Sequence, residues 1–154
     1  MDRPQHLPAL LWKNDGAVSS TFFLGAPLAL NDELLILADQ GGEISLWAFD
    51  PATGAKRGQI VLCEAVRPSE NLPYRRRDAC PITVADGVAY CMTQFGRIIA
   101  VDLVTRRMLW NFEYPNTLVS ANPHGRWQPY QTPNDQGQPC VSAPSVAGKR
   151  LVFL

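Results

Sequence analysis

Two stretches of this 154-residue chain are apolar at consecutive positions, "LLILA" (34–38) and "IIAV" (98–101). A strand with one wet face alternates apolar and polar residues, so unbroken runs this short predict strands covered on both sides. Flanking them are shorter segments punctuated by turn residues. "PITV", "ADG" and "VAYCMT" (81–93) predict a hairpin about Asp86-Gly87, a pair that accepts the positive φ of a type I′ turn. "DPATG" (50–54) and "DLVTR" (102–106) predict turns in which the leading carboxylate accepts backbone N–H groups two or three residues on. Asp102 therefore ends a strand and organises the turn behind it. "RMLW" then begins the next strand, whose Trp110 is large enough to fill a gap between neighbouring sheets.

These elements recur. When residues 27–58 are set above residues 81–110, Pro27 and Pro81 lie 54 positions apart, as do Gly42 and Gly96. The turn pair Asn31-Asp32 then faces Ala85-Asp86. Beyond the glycines the first copy gains two residues, after which Asp50 aligns with Asp102 and Thr53 with Thr105. A third copy starts at residues 142–154, with Pro144 in the place of the earlier prolines, and stops within a strand. This predicts a natural chain that continues, or a fragment. Two segments fall outside the copies, 63–80 and 114–140, and are expected as inserted loops. The expected fold is all-β: blades of four antiparallel strands, about two complete and part of a third.

The order Pro, Asp-Gly turn, apolar strand, Gly, apolar strand, Asp-x-x-Thr-Gly and Trp resembles the repeat of PQQ-like (pyrroloquinoline-quinone-type) β-propellers. The second copy matches it at Asp86, Gly87, Val88, Tyr90, Gly96, Ile98, Ala100, Asp102, Thr105 and Trp110. The first matches it at Gly42, Ile44, Leu46, Asp50, Thr53 and Gly54. Arg106 stands where the repeat usually has glycine, and Gly58 where it usually has tryptophan. The resemblance implies a ring of blades in which Trp and Gly meet between neighbours. It implies a protein-binding role like that of the lipoprotein component of the bacterial outer-membrane assembly machinery, and an extracytoplasmic location. The alternative within the same family is a fragment of a PQQ-dependent dehydrogenase whose quinone and calcium site lies on other blades.

Composition narrows this further. Fourteen basic residues balance fourteen acidic ones, which leaves no field to steer the chain toward nucleic acid or an anionic membrane. Thirteen prolines and eleven glycines favour turns over long helices. No segment approaches the roughly 18 consecutive apolar residues of a membrane-spanning helix, and "MDRPQHLPALLW" makes a poor signal peptide. Cys63, Cys80, Cys91 and Cys140 contain no CxxC pair and are expected as buried thiols, although an even count leaves two disulfides open.

Candidate chemistry is sparse. The adjacent cysteines that the resemblance places beneath a quinone are absent, and His6 and His124 have no partner at ligand spacing. Neither a phosphate loop nor a nucleophile elbow occurs. No cofactor is expected in this chain. Arg75, Arg76 and Arg77 form a positive cluster that either pairs with Glu64, Glu70 and Asp78 or contacts an acidic partner. Trp127 and Tyr130 sit in the long segment 114–140, where they pack on their own blade or recognise a ligand such as a polysaccharide. The sequence thus predicts a non-catalytic scaffold that binds a protein or peptide, or that joins further blades of one propeller.

Overall fold

The computed structural model describes residue 12 and residues 21–65, 79–93, 96–114, 143–148 and 150–152. Arg75, Arg76, Arg77, Trp127, Tyr130 and Cys140 lie outside these residues. Every regular element among the described residues is a strand. The first sheet contains β1 (Thr21–Phe23), β2 (Leu28–Leu30), β3 (Glu33–Gln40), β4 (Glu43–Phe49) and β5 (Lys56–Glu64). β1 pairs with the end of β3 (Thr21↔Gln40) and β2 with its beginning (Leu30↔Glu33), so the two share one edge of β3 as a split strand. This makes the sheet four strands wide, and all its pairings are antiparallel. The second sheet runs in order through β6 (Ile82–Ala85), β7 (Val88–Thr93), β8 (Arg97–Asp102) and β9 (Arg107–Glu113). A third unit contributes one hairpin, β10 (Ser145–Ala147) and β11 (Arg150–Val152).

Backbone conformation explains the turns. Asn31 (φ 52°) and the pair Asp86 (φ 49°) and Gly87 (φ 76°) adopt the left-handed conformation that two-residue hairpins require. The structural register departs from the strict 54-residue offset at this point. β2 closes at Leu30↔Glu33 and β6 at Ala85↔Val88, so Asn31-Asp32 corresponds to Asp86-Gly87 and not to Ala85-Asp86. The physical reason is one extra residue in β6, which carries the chain one step further before it reverses. Likewise β5 extends through Cys63 to Glu64, paired with Ile44 and Glu43, so the segment 63–80 begins inside a strand.

Both apolar runs are covered on both faces. Leu35, Leu37, Ile44, Leu46, Ala48 and Leu62 of the first sheet pack against Ala89, Cys91, Ile99 and Val101 of the second. On the opposite face of the first sheet, Ile36, Ala38, Trp47 and Phe49 form a separate cluster. Ile98, Ile99, Ala100 and Val101 are all fully buried. Each buried Leu or Ile contributes about 2 kcal/mol through removal of its surface from water, which is why these runs tolerate no polar residue. The units are also stitched at their leading ends. The Cys80 N–H donates to Leu24 O, and the Thr83 hydroxyl donates to Pro144 O. Each unit therefore hands over to the next beside its first strand, and the sheets stack face to face.

Candidate functional site

The β4–β5 and β8–β9 turns are built alike. Asp50 Oδ1 accepts the Ala52 and Thr53 N–H groups at 2.8 and 3.0 Å, and Asp102 Oδ1 accepts those of Val104 and Thr105 at 2.8 and 2.9 Å. The fifth residue of each turn is left-handed, Gly54 at φ 71° and Arg106 at φ 56°. The surrounding charges differ. Arg57 donates to Asp50 Oδ2 at 2.6 Å and to Asp32 Oδ2 at 3.0 Å, so one guanidinium ties two turns of the first sheet. The Arg57 hydrogen bond, aided by the turn N–H groups, lowers the Asp50 carboxyl to about 2. Asp102 is lowered by the Thr105 and Val104 N–H groups, and no arginine contributes. Arg106 instead crosses between the sheets and donates to Glu33 Oε2 at 2.5 Å.

Gly54 is covered by an indole that the sequence reading missed. A Cβ at Gly54 would lie 2.5 Å from Trp12 Cε3, so only glycine leaves room for the ring. Trp12 Nε1 donates to Pro51 O at 2.8 Å, which fixes the ring over the turn. The dipeptide Leu11-Trp12 recurs as Leu109-Trp110, but Trp12 stands 46 residues before Gly58 and Gly58 stands 52 before Trp110, so the repeat spacing does not locate it.

Trp110 does not lie between the two described sheets. It lies opposite Ala100, on the face of the second sheet that points away from the first. It stays 41% exposed, with its ring 6.0 Å from that of Tyr90. In the first sheet the residue opposite the equivalent Ala48 is Gly58. That position faces the second sheet and carries no side chain. A cavity of about 160 Å³ opens there, lined by Leu46, Ala48, Gly58 and Ile60 and by the polar residues Glu33, Arg57, Gln59 and Arg106.

The remaining repeat positions have structural roles. Gly96 is left-handed (φ 71°), and a Cβ on it would approach Tyr114 O to 3.2 Å. Gly42 (φ 97°) donates its N–H to the buried Asp39 carboxylate at 2.8 Å. Cys63, Cys80 and Cys91 are buried free thiols. Burial pushes Cys63 up to about 11 and Cys91 up to about 12, so neither forms a thiolate nucleophile at neutral pH. Among the described residues no group of three or more His, Cys, Asp or Glu could hold a metal ion. Nor, among them, is any helix long and apolar enough to cross a membrane.

Among the described residues, β9 is an exposed outer strand. All seven of its residues are exposed, including Met108, Leu109, Trp110 and Phe112, and Val104 projects from the turn before it. Among the described residues its one strand neighbour is β8, and no described strand pairs with its other edge.

No family model and no curated protein matches the chain. Among solved structures it is similar to BamB from Moraxella catarrhalis, at 24% identity and a TM-score of 0.50. The match covers 68% of this chain and 31% of that one, so the chain spans about a third of the neighbour's length. The likeness extends to the fold: successive four-stranded antiparallel sheets of a β-propeller.

Proposed function

We propose that the chain supplies blades of a PQQ-like β-propeller that serves as a non-catalytic scaffold for a protein or peptide partner outside the cytoplasm. The observation that carries this reading is β9. An outer strand that no described strand pairs on its far edge, with exposed apolar side chains, invites pairing with another chain, and β-strand addition is an established mode of peptide recognition. The face that bears Trp110 is assigned to a further blade of the same propeller, in the manner of Trp12 on the first. The edge remains for the partner. The reading gives this chain no redox cofactor.

Selection of displayed peptides on the full chain tests the edge. Bound peptides are expected to be extended and apolar at alternate positions. The double substitution Met108→Lys with Leu109→Lys should weaken them at least tenfold while the circular dichroism spectrum is unchanged. Unaltered affinity in that variant defeats the edge-strand reading. Dye reduction on addition of PQQ and calcium would replace the scaffold with the dehydrogenase.

A further inference from the structure

A cavity beside Gly58 lies where the first sheet meets Arg106 of the second. Three observations converge on it. The turn of the first sheet holds the Trp12 ring against Gly54, with its N–H on Pro51 O. The turn of the second sheet repeats the same carboxylate and left-handed geometry at Asp102 to Arg106. Gly58 lines one cavity with Arg106 of that second turn and holds the register position that Trp110 holds one unit later. Where a ring would lie there is the cavity of about 160 Å³.

We propose that this cavity is a binding site for an indole-sized planar aromatic group. A cavity of roughly 150 Å³ admits benzene, and this one, of about 160 Å³, is open to solvent on one side and has polar as well as apolar lining. Leu46, Ala48 and Ile60 supply apolar lining, and a Cβ at Gly58 would meet no atom within 4 Å. Arg106 replaces the glycine that bears the ring in the first sheet, and a guanidinium offers a flat cationic face to an aromatic ring. Glu33 uses Oε2 to accept from Arg106, and a carboxylate has further acceptor capacity for a ring N–H. The second blade thus exchanges a covalently supplied ring for a site that takes one from outside. This site is separate from the β9 edge and stands whether or not that edge binds a peptide.

Indole titrated into the full chain tests it. Nuclear Overhauser contacts from the ring protons to the Ala48 and Ile60 methyl groups are expected, with a rise in Tm of about 3 °C at saturation. 1-Methylindole, which lacks the N–H, should bind several-fold more weakly. Gly58→Trp should supply the ring in place and abolish the indole effect. Equal shifts with N-acetyltryptophanamide would assign the site to tryptophan side chains, and shifts with indole alone would assign it to free indoles. Absence of the two methyl contacts in the unsubstituted chain, or an indole effect that persists in a folded Gly58→Trp variant, overturns the proposal.

Discussion

The turns at Asp50–Gly54 and Asp102–Arg106 begin identically and end differently. In both, an aspartate gathers two N–H groups and the chain passes through a left-handed residue. At that residue the first turn has no side chain and carries an indole, whereas the second has a guanidinium that reaches across to Glu33. Turn geometry is therefore set locally by the Asp-x-x-Thr spacing. What docks on the turn is set by the volume of one side chain. The same scaffold yields a closed contact in one blade and an open cavity at the next.

The sharpest way to break this comparison is to put a side chain on the first turn. Gly54→Ala would force alanine into the left-handed region and drive its Cβ into the Trp12 ring. The expected loss is on the order of 3 kcal/mol, the strain and the clash together. Urea unfolding of the full chain measures it. Arg106→Ala, at the matching position with no ring above it, should cost less than about 1 kcal/mol by the same assay. Equal losses would mean that the two turns carry equivalent packing.

Acid separates the turns next. The folded-state Asp50 carboxyl titrates at about 2, below its ordinary value of 3.8. A depressed carboxyl contributes stability that is complete above the unfolded value and is lost as pH falls from about 4 toward 2. Asp102 shifts in the same direction through the Thr105 and Val104 N–H groups, aided by the Thr105 side chain and with no arginine. Asp50→Asn should therefore flatten the fall in Tm over that range more than Asp102→Asn does. Added salt should narrow the difference, because the Arg57 pair lies at the surface.

The smallest effect is expected from Arg106→Gly. Relief of the left-handed conformation stabilises, while the greater freedom of glycine in the unfolded chain and the loss of a half-exposed pair with Glu33 oppose it. A net change within about 0.5 kcal/mol is expected from thermal unfolding. Destabilisation well beyond that would show that the crossing ion pair holds the two sheets together.

Much of the fold was legible in the chain because its signals are local. Unbroken apolar runs marked the buried β3 and β8, Asp86-Gly87 marked a hairpin, and the aspartates marked the outer turns. The register slip at Asn31-Asp32 was not legible, since one extra residue in β6 leaves the alternation of its neighbours intact. Trp12 was hidden for a different reason. It acts on Pro51, 39 residues away, and nothing in the spacing joins them. In the sequence Gly58 is a departure from the repeat and gives no sign of a cavity. Its dimensions depend on how Arg106 turns toward Glu33, which is a matter of contact between two sheets.

From its own residues the chain determines strands, turns and their repetition, because backbone sterics and the pairing of apolar faces act over a few positions. Which tryptophan lies between sheets, which remains exposed, and where space is left over were decided by the stacking of one unit on the next. Close packing makes each of those outcomes depend on the volumes of side chains that meet only once the sheets are assembled.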